Sequence, residues 1–123
     1  MITNFDNITH ELTDEEKKLL PLIIKGFQTK TKSNPITGKE IVEAIMAKKQ
    51  QLGIKSFSEP RLRKLTNYIR SNGILPLIAT SNGYYVSNDI AEINAQIESL
   101  MDRSMAIRNS AEGLRKYIEL NFK

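Results

Sequence analysis

Ser58-Glu59-Pro60-Arg61-Leu62-Arg63-Lys64-Leu65-Thr66-Asn67-Tyr68-Ile69-Arg70-Ser71-Asn72-Gly73 is the stretch that decides how this chain folds. At 100° per residue it sorts into two faces. Leu62, Leu65 and Ile69 share one face; Arg63, Lys64, Asn67, Arg70 and Ser71 share the other, which holds cations and an amide and no acid. Ser58 stands where its hydroxyl can accept from the first free amides of a helix, and Pro60 is tolerated there because its missing N–H would have no partner anyway. Asn72-Gly73 supplies a left-handed residue that ends the helix. The pattern predicts one short helix packed on a small core with a basic outer face. An ordinary amphipathic surface helix has the same pattern, so the surroundings must discriminate.

Charge is distributed unevenly around this helix. Residues 1–16 contain five acids and no Lys or Arg, whereas residues 17–73 contain thirteen bases against three acids, a net of +10. Residues 74–83 are uncharged, and residues 84–123 hold five bases and six acids. The overall +4 therefore hides a basic block centred on the candidate helix. A block of this kind implies an anionic partner, most commonly nucleic acid. A membrane surface would require an apolar face beside the bases, and the apolar faces here are assigned to a core.

With 123 residues, 40% of them apolar, the chain is expected to form one small domain with an appendage. It has no cysteine, which excludes disulfides and thiolate metal sites and agrees with a reducing compartment. No apolar run reaches the roughly 18 to 20 residues of a membrane span, and no signal-peptide pattern opens the chain. The expectation is a soluble cytoplasmic protein, located at the nucleoid if it binds DNA.

The helix has neighbours on both sides. Residues 1–12 read as a flexible acidic arm. Thr13 with Glu16 forms a capping box for a helix whose apolar positions are Leu19, Leu20, Ile23 and Phe27; Pro21 within it allows a kink or a later start. Gln28 to Asn34 reads as a loop and Pro35-Ile36 as a brief extended segment. Thr37-Gly38-Lys39-Glu40 is a second capping box, followed by Ile41, Val42, Ile45 and Met46, with Leu52-Gly53 ending that helix. After Gly73, Leu75 to Thr80 reads as a strand, Ser81-Asn82-Gly83 as a tight turn and Tyr84-Tyr85-Val86 as the returning strand. Asn-Gly is the dipeptide that best accepts the positive φ of a type I′ turn.

The order helix, short strand, helix, helix, hairpin, with Gly38-Lys39-Glu40-Ile41 opening one helix, Pro60-Arg61-Leu62-Arg63-Lys64-Leu65 in the next and Gly83-Tyr84-Tyr85-Val86 closing the hairpin, resembles winged helix-turn-helix domains. It looks most like the small ones of phages and mobile elements. The resemblance covers residues 13–88. It implies a mainly α fold with a small β-hairpin, a third helix in the major groove from Arg61 to Ser71, and a wing touching the DNA flank at Thr80, Ser81 and Asn82. The link from Gln50 to Phe57 is longer than the tight turn of the simplest helix-turn-helix, and the wing tip has no Arg or Lys.

Residues 89–123 carry a different pattern. Ile90, Ile93, Ile97, Leu100, Ser104, Ile107, Ala111, Leu114 and Ile118 alternate steps of three and four, a coiled-coil seam that Asp89 and Glu92 can cap. Unbroken from 90 to 120, such a helix is about 46 Å long and overhangs a domain only about 30 Å across. The expected partner is a second copy, joined through Ile93, Ile97, Leu100, Ile107, Leu114 and Ile118 in a homodimeric coiled coil. A break near Asn109 to Gly113 with the last turn folded back, or packing on the chain's own core or on another protein, is the alternative.

Catalytic chemistry finds little to build on. His10 is the only histidine, so a histidine metal site or a Ser-His-Asp arrangement lacks material. Gly38-Lys39 ends like a phosphate-binding loop, but Glu40 stands where Ser or Thr is required and Ser33 where the first glycine belongs. Asp14-Glu15-Glu16 suits the positive end of a helix dipole. No enzyme activity, cofactor or metal is expected. The leading expectation is sequence-selective binding of double-stranded DNA by a regulator of transcription or replication. Arg63, Lys64 and Arg70 would read guanine and Asn67 adenine, beside Arg61 and Ser71, with Lys39, Lys55 and the N-terminus of the Thr37 helix on phosphates. The alternative is a protein-interaction module on the same scaffold, serving the replication or transcription machinery.

Overall fold

A computed structural model describes residues 11–122. Most of the expected acidic arm, His10 included, lies outside the described residues. The described chain is mainly helical, with a two-stranded antiparallel hairpin and a long C-terminal helix. It divides into two units, Met1–Asn88 and Asp89–Lys123. In the first, α1 (Asp14–Gln28), α2 (Gly38–Ala47), the single turn α3 (Lys49–Leu52) and α4 (Glu59–Ser71) precede β1 (Leu77–Thr80) and β2 (Gly83–Val86). The second is α5 (Ile90–Asn121).

Local sequence sets the helix starts. Thr13 accepts from the Glu16 amide at 3.1 Å while the Glu16 carboxylate accepts from the Thr13 amide at 2.8 Å. Thr37 and Glu40 repeat the exchange at 3.1 and 3.0 Å. Each box satisfies two amides that a helix end would leave without partners. The first box fixes the start of α1 at Asp14, so the later start that Pro21 allowed does not occur and the proline rides on the exposed side of a continuous helix. Ser58 occupies the cap position of α4, but its hydroxyl makes no capping bond. Pro60 holds the second helical position and lacks one of the amides such a cap would serve. Gly73, with φ +62°, ends α4.

Leu19, Ile23 and Phe27 of α1, Ile41 and Ile45 of α2, and Leu62, Leu65 and Ile69 of α4 make the core, together with Leu77. Ile54 and Phe57 of the long link are buried in it as well, so the link is anchored at two points. Leu65 and Ile69 have no solvent exposure, and burial of such a side chain contributes about 1.5 to 3 kcal/mol.

The hairpin pairs Leu77 with Val86 and Thr80 with Gly83, leaving Ser81 and Asn82 as the turn. No residue other than glycine has positive φ among the described residues, so the turn is not the type I′ expected from Asn82-Gly83. Gly83 alone takes positive φ, at +127°. The reason is tertiary. Ile36, the expected extended segment, exchanges two backbone hydrogen bonds with Tyr84, at 3.0 and 2.7 Å, and presses against Gly83. A Cβ at Gly83 would lie 2.5 Å from the Ile36 carbonyl oxygen. The Tyr84 ring packs on Phe27 of α1 with centroids 5.5 Å apart and planes tilted by 55°, so β2 is held by α1 as well as by the Ile36 segment that pairs with it on the side away from β1.

Taken by itself, α5 is a continuous helix of 32 residues, about 48 Å long at 1.5 Å per residue. The Asp89 carboxylate caps it through the Ala91 amide at 2.9 Å. It passes through Asn109 to Gly113 without a break, which excludes the folded-back last turn. No helix among the described residues is long and apolar enough to cross a membrane.

Two glycine substitutions should therefore diverge. Gly83→Ala adds a methyl where a carbonyl already stands and forces a side chain into positive φ, so urea denaturation should show a loss of at least about 2 kcal/mol. Gly113→Ala meets open space in a helix and should raise helix content in circular dichroism, worth about 1 kcal/mol. Equal responses at the two positions would contradict this account of the hairpin.

Candidate nucleic-acid interface

The outer face of α4 is only partly free. Glu16 on α1 is buried, 2% exposed, and its carboxylate faces α4. Lys64 Nζ donates to Glu16 Oε1 at 2.9 Å, and Arg61 Nε donates to Glu16 Oε2 at 3.3 Å. The Arg61 guanidinium also lies 3.6 Å from Glu15 and donates to the Ser56 carbonyl at 2.9 Å and to the Thr13 hydroxyl at 3.3 Å. The expectation of a cationic face with no neutralising acid is thereby corrected. The acid comes from the neighbouring helix, and Arg61 and Lys64 are held by the fold.

Arg70 is engaged on the other flank. Its Nε donates to the Leu77 carbonyl at 3.1 Å, joining the end of α4 to the start of β1, so it is turned away from the groove-reading role assigned from the periodicity. Between these two flanks Arg63, Asn67 and Ser71 recur at four-residue steps and are all exposed. No ion pair holds Arg63 among the described residues. Lys39, on the first turn of α2, and Lys55, in the link, are exposed, as are Ser81 and Asn82 at the hairpin tip.

The N-terminus of α2 is less open to a phosphate than the sequence suggested. Glu40 already accepts from Thr37, and a Cβ on Gly38 would stand 3.3 Å from Glu59 Oε1. Two carboxylates thus occupy the positive end of that helix, where anions are favoured. The Glu40 carboxyl is held below its ordinary value chiefly by the Thr37 backbone hydrogen bond.

For Glu16, burial acts to raise the pKa, but the hydrogen bonds from Lys64 and the Thr13 amide, the Lys64 charge and the Arg61 hydrogen bond outweigh it and leave the group below 4.5. The sequence signal for this was present. Glu16, Leu19, Ile23 and Phe27 follow steps of three, four and four, so the acid belongs to the buried face of α1 and needs cations there.

No potential metal-binding group of three or more acidic, histidine or cysteine side chains is found among the described residues. No family model, no curated protein and no solved structure matches the chain, so function must be read from this surface itself.

Because the folded pKa of Glu16 is depressed, its contribution to stability is complete above the unfolded value of about 4.5 and is lost as pH falls through the folded value. Glu16→Gln keeps the capping geometry, since glutamine serves a capping box equally, and removes the charge. Thermal melts should show it destabilised by about 1 to 3 kcal/mol at pH 7, with the gap to wild type closing toward pH 3. A gap independent of pH would show that the charge is not what matters.

Proposed function

We propose that this chain is a non-enzymatic, sequence-selective binder of double-stranded DNA, of winged helix-turn-helix type, with α4 in the major groove. The observation that carries the reading is the exposed stripe of Arg63, Asn67 and Ser71 inside a block of net charge +10. Arg presents two donors to guanine and Asn a donor and acceptor to adenine, the pairings that distinguish bases in that groove. Lys39 and Lys55 lie in the same basic block and would meet phosphates, which fix register without reading sequence. Ser81 and Asn82 offer uncharged donors at the hairpin tip. The hydrogen-bonded Ile36 segment beside β2 supports the winged resemblance by adding a third, short extended element to the hairpin. A role in transcription or replication control, with α5 joining two copies, completes the proposal.

One observation favours a second reading. An apolar groove of about 200 Å³ between α1 and α2, lined by Leu22, Phe27, Ile41, Ile45 and Leu52 with Lys30 and Lys48 also contributing, suits a protein-interaction module. Such a module would bind its partner with little dependence on salt. Four neutralised phosphates would instead give a log-log salt slope near −3.6, at about −0.9 per contact.

The readings separate in fluorescence anisotropy on duplex DNA. Arg63→Ala and Asn67→Ala should each weaken binding by about 1 to 3 kcal/mol and leave the unfolding midpoint unchanged, because both side chains are exposed. Lys64→Glu is the wrong probe, since it sets two acids together at Glu16. Binding by an Arg63→Glu/Asn67→Ala double variant equal to that of wild type would overturn the DNA reading.

A further inference from the structure

We infer that α5 joins two copies of this chain antiparallel, in the register that sets Ile97 of one copy against Leu114 of the other. The inference rests on the reading of α5 as a self-association seam and is independent of DNA binding. None of the residues of α5 is buried, and Ile107, Leu114 and Ile118 are 71%, 71% and 58% exposed. Large apolar side chains repeated along one continuous helix require a cover.

The seam fits itself better reversed than parallel. In a parallel pair each seam residue meets its own copy, so Ser104 faces Ser104 and Ala111 faces Ala111, two thin layers separated only by Ile107. Underfilled layers leave voids that destabilise a packed seam. In the antiparallel register small faces large: Ser104 meets Ile107 of the second copy and Ala111 meets Leu100. Ile97 meets Leu114, and Ile118 meets Ile93. Every thin position is filled by a large partner.

Charge points the same way. From 89 to 102 the segment carries four acids, Asp89, Glu92, Glu98 and Asp102, and no base, whereas 103–122 carries four bases and two acids. A parallel pair sets acidic half on acidic half. The reversed pair instead sets residues 89–102 of each copy beside residues 109–122 of the other, which hold two bases and two acids, and so relieves that repulsion at an interaxial distance of about 8 to 10 Å, near the screening length at physiological salt.

The absence of native cysteine makes the test direct. Full-length Ile97→Cys and Leu114→Cys variants are prepared separately, oxidised alone and as an equimolar mixture, and resolved without reductant. Antiparallel pairing gives about tenfold more covalent dimer in the mixture than in either variant alone, because only the mixed pair brings the Cα atoms within the roughly 7 Å a disulfide tolerates. Crosslinking of each variant with itself would overturn the orientation. A dimer by sedimentation that crosslinks in neither case would overturn the register. A monomeric wild-type chain at about 100 μM, far above the nanomolar to micromolar range of specific complexes, would overturn self-association altogether. None of these outcomes depends on DNA.

Discussion

The Glu16 carboxylate is the contact on which the rest of the first unit depends. It caps α1 through the Thr13 amide and at the same time receives Lys64 and Arg61 from α4. A buried ion pair is a weak source of net stability, because desolvation of the charges offsets most of their attraction. Its loss on one side is costly, however, since an uncompensated charge remains. Glu16 therefore acts less as glue than as a constraint on orientation. Leu62, Leu65 and Ile69 would pack against α1 over a range of rotations of α4, but only one brings two cations onto one buried carboxylate.

The other flank of α4 is fixed by a chain of contacts of a different kind. Arg70 reaches the Leu77 carbonyl at the start of β1, β1 pairs with β2, and Tyr84 of β2 is bonded to Ile36 and packed on Phe27. With α1 on one side and the hairpin on the other, the helix has a narrow strip left to present. Its composition is then a result of the fold: of the cations on the helical wheel, Arg63 is the one on the exposed strip. The hairpin's place depends in turn on glycine at position 83, where the Ile36 carbonyl leaves no room for a side chain.

What could be read from the sequence was what local chemistry decides. Thr13 with Glu16, Thr37 with Glu40, and Asn72-Gly73 mark helix ends because the partners lie within a few residues, and the three-four spacing of Leu62, Leu65 and Ile69 marks the core face for the same reason. What escaped was tertiary. Glu16 meets Arg61 and Lys64 across 45 and 48 residues, so a wheel drawn for α4 alone could not show that its cations have acids. The positive φ at Gly83 in place of Asn82 has the same origin, since it follows from the approach of Ile36, which no turn rule includes. Arg63, Asn67 and Ser71 survive as surface residues; Arg61, Lys64 and Arg70 become structural ones.

The second unit poses the converse problem, a helix whose local pattern is complete while its packing is not. Cooperative helix formation in water is marginal without a buried face, and α5 has no buried residue. In the proposed antiparallel pair the two junctions at Asp89 stand roughly 50 Å apart along the pair. That exceeds the 34 to 36 Å between successive turns of duplex DNA. Joining two weak readers strengthens binding only where both sites can be engaged at once. The length of α5, rather than any contact made by α4, would then set which half-site spacings gain from the second copy. If α4 binds DNA as proposed, a stripe as narrow as Arg63, Asn67 and Ser71 would read few base pairs, and much of the discrimination between DNA sites would fall to that spacing.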